Sequence, residues 1–193
     1  EVALFQGSAG WGEFSPFVEY GARECVPWLV SGIEAALTVS PLPFRKEIAI
    51  NATLPALNNR EEIAGVLSWY PGCTTVKIKV GADLHEDLAR IEYVRELLPA
   101  AQLRIDVNGN WSVDYALTAI NAIYEGGELE YVEQPCRTLD ELRELKSRLH
   151  IPVLVAGDEV IRKSTDPMAR DLKDAGGVGM LKVAPHLRRR AGG

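Results

Sequence analysis

The sequence predicts an α/β fold in which parallel strands alternate with helices. Three observations carry that expectation. Short apolar, β-branched runs recur along the chain (TVKIKV, LRIDVN, LEYVEQP, PVLVAGDE, GVGMLKV), and stretches of helical period separate them. Each run ends at or beside a charged residue: Lys77 and Lys79, Asp106, Glu133, Asp158 and Lys182. The steps are nearly regular, 27 residues from Lys79 to Asp106, 27 to Glu133, 25 to Asp158 and 24 to Lys182. A strand with its return helix and loops takes about that length. Charge therefore recurs once per repeat at the strand's C-terminal end, where parallel α/β enzymes place their chemistry.

The elements follow in order. Residues 1–20, with Gly7, Gly10, Gly12 and Pro16 among apolar residues, read as strand and turn. A helix is expected over about 21–37. Pro41 and Pro43 in SPLPFR interrupt any regular element and mark a boundary between a first domain, 1–43, and a second, 44–193. EIAINATL reads as a strand, and NREEIAGVLSWY as a helix opened by Asn59 with an acidic first turn. After TVKIKV, Leu84, Leu88, Ile91, Val94 and Leu98 fall at helical spacing. Ser112 is the expected N-cap of SVDYALTAINAIY, and Thr138 with Glu141 has capping-box spacing. A weaker helix is expected near 166–175 before the last run, GVGMLKVA. Six strands separated by five helices imply a parallel sheet with right-handed crossovers.

Composition excludes several classes. The 193 residues are 47% hydrophobic and 25% charged, the balance of a soluble globular protein of one or two domains. A net charge of −6 argues against nucleic-acid and membrane-surface binding, which rest on an excess of Lys and Arg. No apolar stretch is long enough to span a bilayer. Cys25, Cys73 and Cys136 are odd in number and widely spaced, which suggests neither a disulfide framework nor a zinc site and fits the cytoplasm. A small-molecule or protein partner is the expectation.

Strand alternation decides which residues share a pocket. Residues two apart point to one face, so Lys77 and Lys79 point together, as do Asp106 and Asn108. In a barrel, the three carboxylates Asp106, Glu133 and Asp158 converge at the C-terminal rim and repel one another unless a cation sits between them. Oxygen ligands without Cys or His favour Mg²⁺, or Mn²⁺, over Zn²⁺. A substrate carboxylate held by such a cation is more acidic at its α-carbon, and a lysine with lowered pKa can take the proton. The paired lysines make sense as a base, Lys79, and a neighbour, Lys77, that tunes it.

Taken in order, GWGEFSPF, VNATLPA, the Lys-x-Lys of TVKIKV, RIDVNGNW, YVEQP, the Asp-Glu of AGDEVIR and LKVAP resemble the enolase superfamily in its muconate-lactonizing subgroup. The resemblance covers most of residues 7–185. It implies a (β/α) barrel with an N-terminal α+β capping domain, here apparently truncated to about six strands with a partial cap over 1–43. It implies Asp106, Glu133 and Asp158 as Mg²⁺ ligands, Lys79 as general base and Lys182 as a cation on the other face of the substrate. Asn108, Gln134 and Glu159 would orient ligands or water, and Asn51, at the end of the first barrel strand, would line the pocket. The implied reaction is syn dehydration of 2-succinyl-6-hydroxy-2,4-cyclohexadiene-1-carboxylate in menaquinone biosynthesis. Racemisation of N-acylamino acids and an inactive fragment are the alternatives. An unclosed sheet would leave its first and sixth strands as open edges, so self-association is also expected.

Overall fold

The computed structural model describes residues 2–18, 20–40, 42–162, 164 and 178–181. They divide into two compact units, with the boundary between Ile48 and Ala49, a few residues beyond the proline pair.

In the first unit, β1 (Ala3–Gln6) and β2 (Trp11–Phe14) form an antiparallel hairpin in which Ala3 faces Phe14 and Gln6 faces Trp11. The helix α1 (Ala22–Leu37) packs on it. The approach is close because glycines face each other: a Cβ on Gly12 would stand 2.2 Å from the Gly32 carbonyl oxygen, and one on Gly32 would stand 2.5 Å from that of Glu13. Any side chain at either position would force helix and hairpin apart.

The second unit repeats strand and helix. Its elements are β3 (Ala52–Leu54), α2 (Arg60–Ser68), β4 (Thr75–Lys79), α3 (Leu84–Leu97), β5 (Gln102–Asp106), α4 (Val113–Glu125), β6 (Tyr131–Glu133), α5 (Leu139–Arg148), β7 (Leu154–Gly157), α6 (Glu159–Arg162) and β8 (Val178–Leu181). All strands are parallel, in the order β3-β4-β5-β6-β7-β8. Each crossover sets the next strand beside the last, always on the same side, which is the winding of a barrel; a doubly wound sheet reverses its order. The helix expected near 166–175 lies outside the described residues.

Helix starts follow the sequence. The Asn59 side chain accepts from the amides of Glu61 and Glu62, Ser112 accepts from Tyr115, and Thr138 and Glu141 form the reciprocal capping box. Asp83 caps α3 by accepting from the Glu86 amide.

Alternation gives the sheet two different faces. Ala52, Leu54, Val76, Ile78, Leu103, Ile105, Val132 and Val155 are buried on one face against Ile63, Ile91, Val94, Ile120, Ile123, Leu142 and Leu145 of the helices. Each of the Val, Leu and Ile side chains contributes about 1.5–3 kcal/mol on burial. The other face carries Thr53, Lys77, Lys79, Arg104, Asp106, Tyr131 and Glu133. The apolar layer thus fixes the register, and register places the charges.

Candidate active site

Parallel pairing sets Lys79 beside Asp106, Asp106 beside Glu133, and Glu133 beside Ala156, in one row across β4, β5, β6 and β7. Backbone bonds continue one residue past each strand: the amides of Val80, Val107 and Gln134 donate to the carbonyls of Asp106, Glu133 and Ala156 at 3.1, 3.1 and 2.7 Å. The row is therefore held on both sides of the functional groups. Asp158 stands two residues beyond Ala156, at the start of α6.

Lys77 lies one row lower, paired with Arg104, and its long side chain reaches up between two strands. Its Nζ donates to both oxygens of Glu133 at 3.0 and 2.9 Å and pairs with Asp106 Oδ2 at 2.8 Å. Lys79 Nζ donates to the same Asp106 oxygen at 2.7 Å and to Asn108 Oδ1 at 2.6 Å. Asp106 and Glu133 are buried, the Lys77 side chain is 13% exposed and that of Lys79 is 35% exposed. Lys79 is thus the lysine that solvent or a substrate can reach.

Burial alone would push the Asp106 carboxyl upward. The hydrogen bonds from Lys77 and Lys79 outweigh it and hold its pKa below the ordinary 3.8. Burial likewise pulls the Lys77 ammonium downward, and its bonds to Asp106 and Glu133 outweigh that, leaving its pKa above 10.5. Lys77 is therefore a fixed cation and Asp106 a fixed anion at neutral pH.

The loops beyond the strands are tied together by Gln134. It is fully buried with φ 41°, a left-handed conformation rare for a residue with a side chain. Its Oε1 accepts from the amides of Asp158 and Val160 at 2.8 and 3.3 Å, its Nε2 donates to the Cys136 carbonyl at 2.8 Å, and its carbonyl accepts from the Gly109 amide at 2.6 Å. One residue thus joins the ends of β5, β6 and β7. Asn108, also left-handed at φ 54°, accepts from Lys79 and donates from Nδ2 to Glu159 Oε1 at 3.0 Å. The other Glu159 oxygen, Oε2, is buried with no hydrogen-bond partner among the described residues. Strained backbone and an unmet acceptor concentrate at the rim.

The structure brings together Lys77, Lys79, Asp106, Asn108 and Glu133, links Asn108 to Glu159, and joins Asp158 to the group through Gln134. Asn51 lies elsewhere. The sequence reading set it at the end of the first barrel strand, but β3 begins at Ala52, so Asn51 stands before that strand and far along it from the rim. Its Oδ1 accepts from Arg104 at 3.0 Å and its Nδ2 donates to Thr53 Oγ1 at 3.3 Å. Lys182 lies outside the described residues. Two buried charged residues of α3, Asp87 and Arg90, were missed. Their signal was present: both sit within the stripe formed by Leu88, Ile91 and Val94, where an amphipathic helix ordinarily carries apolar residues.

Among the described residues no three of His, Cys, Asp and Glu gather closely enough to hold a metal ion as they stand. Lys77 supplies the positive charge instead, its Nζ within 2.9 Å of oxygens from both Asp106 and Glu133. The donor chemistry nevertheless fits a hard divalent cation. The carboxylates near this point offer oxygen only, and an acceptor at Glu159 has no hydrogen-bond donor among the described residues. Asp106, Glu133 and Asp158 are the residues that could hold such an ion.

A parallel, barrel-wound β/α unit with lysines and carboxylates at consecutive strand ends defines a barrel-type enzyme fold. Comparison with known proteins agrees. The enolase C-terminal domain-like family model matches residues 62–188, and the enolase N-terminal domain-like model matches residues 1–36. The chain belongs to the enolase superfamily. It is 46% identical over 188 residues to an o-succinylbenzoate synthase of Mycolicibacterium smegmatis, and 47% identical over 189 residues to one of Thermobifida fusca. Each match covers 96% of this chain but only 57% and 58% of those relatives' lengths. Among solved structures, a superfamily member from Roseovarius nubinhibens superposes with a TM-score of 0.64 at 18% identity, over 96% of this chain and 63% of that one. A dipeptide epimerase from Enterococcus faecalis gives 0.61 at 20% identity, over 81% and 60%. A second Roseovarius nubinhibens member, complexed with magnesium, gives 0.56 at 24% identity, over 72% and 37%. Among the described residues no helix is long and apolar enough to cross a membrane.

Proposed function

We propose that the chain carries the site of an o-succinylbenzoate synthase, a lyase that dehydrates 2-succinyl-6-hydroxy-2,4-cyclohexadiene-1-carboxylate in the cytoplasm, in menaquinone biosynthesis. The observation that carries this reading is the row Lys79, Asp106, Glu133 across adjacent strand ends, in a chain 45–47% identical to synthases of that name. Residues 1–43 would belong to the capping domain and 44–193 to the catalytic one.

Asp106, Glu133 and Asp158 would hold Mg²⁺, or Mn²⁺ in its place. When bound, the cation would hold the substrate carboxylate and stabilise the charge that develops on it as the α-proton leaves. Lys79 takes that proton. Its exposed Nζ faces the open side of the sheet, and Asn108 and Asp106 aim it. The electron pair of the broken C–H bond forms the new ring double bond as hydroxide departs from the same face. Lys79 then returns its proton to the departing oxygen, so that water leaves and the lysine is back in the state in which it took the proton. Lys77 stays cationic in the row below, and Lys182 would contribute positive charge from the other side. Gln134 fixes the loop that carries Asp158, and Glu159 orients Asn108. Self-association through the outer edges of β3 and β8 belongs to the same reading.

The test is a UV-monitored dehydration assay with Mg²⁺ on this chain and on Lys79→Ala. Turnover that needs both metal and Lys79 is expected. Deuterium wash-in to N-acylamino acids without dehydration would replace the synthase by a racemase. No turnover from a folded chain would leave a site without its enclosure.

A further inference from the structure

The rim of β4 is held from beneath by charges that the reaction does not use. Asp87 and Arg90, on consecutive turns of α3, are 1% and 3% exposed and pair at 2.6 Å. Four donor contacts of Arg90 go to four acceptors: Asp87, the carbonyl of Lys79 at 3.0 Å, the carbonyl of Leu57 at 2.5 Å and the side-chain oxygen of Asn58 at 2.5 Å. The second Asp87 oxygen accepts from the Gly81 amide at 2.7 Å. Two of these contacts hold the backbone on either side of Val80, immediately after Lys79.

We propose that Asp87 and Arg90 are a positioning pair for the general base. The pairing of β4 with β3 ends at Ile78 and Leu54, one residue short of Lys79. From there Arg90 supplies a donor to the Lys79 carbonyl on the helix side, while β5 secures the other side through the Val80 amide. Gly81, at φ 123°, turns the chain out of the strand in a conformation only glycine adopts readily, with its amide on Asp87. The same guanidinium grips Leu57 and Asn58, so the loop leaving β3 and the end of β4 move as one body. A hydrophobic pair of similar volume would stabilise the core as well as a buried ion pair or better. What apolar residues cannot supply is direction, and here one directed bond from Arg90 ends on the Lys79 carbonyl while the other three tie the same guanidinium to Asp87, Leu57 and Asn58.

The proposal rests on Lys79 being the base, so its test reads backbone and catalysis separately. Arg90→Met, Arg90→Lys and Asp87→Asn are made in the full chain. Amide hydrogen exchange is measured at Leu57, Val80 and Gly81 against Val107 and Gln134, together with Mg²⁺ binding by calorimetry and kcat and KM for dehydration. In Arg90→Met, exchange at the first three amides should rise about tenfold or more while the other two hold. Mg²⁺ affinity and KM should stay as they were, with kcat about 10- to 100-fold lower, the cost of a misplaced catalytic group. Arg90→Lys should recover little, because an ammonium cannot reach several acceptors in a fork. Asp87→Asn keeps the shape and should loosen Gly81 first, which decides the matter if Arg90→Met does not fold. Uniform acceleration of all five amides, or a kcat that does not change, would overturn the pair. If the unaltered chain shows no turnover, kcat gives no comparison, and the exchange pattern alone decides whether the pair fixes this backbone.

Discussion

Lys77→Met should be among the most damaging single changes to the metal-free protein, and Mg²⁺ should repair it. Met keeps most of the aliphatic stem and removes the ammonium that joins Asp106 and Glu133. Those carboxylates are 1% and 4% exposed, and Lys77 reaches three of their oxygens at 2.8–3.0 Å. Asp106 keeps Lys79, but Glu133 loses the cation that both its oxygens hold. Deleting one partner of a buried pair costs about 3–5 kcal/mol. At about 2–4 °C per kcal/mol for a chain of this size, Tm should fall by about 6–20 °C. In the intact protein, a divalent ion would compete with Lys77 for the Asp106 and Glu133 oxygens. In the variant it would not, so Mg²⁺ at about 100 times its Kd should return about 2.7 kcal/mol, more than it gives the intact chain. Thermal melts of both proteins in EDTA and in Mg²⁺ read this directly. A loss under about 1 kcal/mol in EDTA would show the cluster behaving as an exposed ion pair and refute the reasoning.

The same cluster sets a pH window. Asp106, with its pKa held below 3.8, contributes stability that is present above that pH and lost as pH falls through the lower folded value. Lys77, with its pKa raised above 10.5, contributes stability that is full below that pH and lost as pH rises through the higher folded value. Urea midpoints across pH should show the alkaline loss shrink in Lys77→Met. Burial, reinforced by Glu141 and Glu144, pushes the Cys136 thiol from 9.0 up to about 12. Its contribution is complete below pH 9.0 and lost between there and about 12, and at pH 8 a maleimide should label Cys25 and Cys73 well before Cys136. Gln134→Ala strips the acceptor from the Asp158 and Val160 amides and the donor from the Cys136 carbonyl. Buried groups left unpaired cost about 1–3 kcal/mol each, so chemical denaturation should show a loss of at least that size.

Much of this arrangement was legible in the sequence. Lys79, Asp106 and Glu133 announce themselves because each closes a buried run, and parallel register turns equal spacing into one spatial row. Asn59, Ser112 and Thr138 are readable as caps because capping is local chemistry. The first barrel strand is shorter than EIAINATL suggests. Ile48 and Ile50 are 77% and 75% exposed, so the apolar run extends beyond the residues that find a partner strand. That shortening leaves Asn51 just before the start of β3. Lys77 reads as the neighbour that tunes Lys79, yet its ammonium crosses β5 to Glu133, a contact 56 residues away that no local pattern reveals. Asp87 and Arg90 disappear into an amphipathic helix when only apolar spacing is counted.

The central claim is that carboxylates from three consecutive strand ends form one cation site. Calorimetric Mg²⁺ titration of the intact chain beside Asp106→Asn, Glu133→Gln and Asp158→Asn tests it most directly. The account predicts one saturable site, weakened or lost in each variant and tightened in Lys77→Met. Binding that survives all three substitutions, or an intact chain that binds no Mg²⁺, would contradict it.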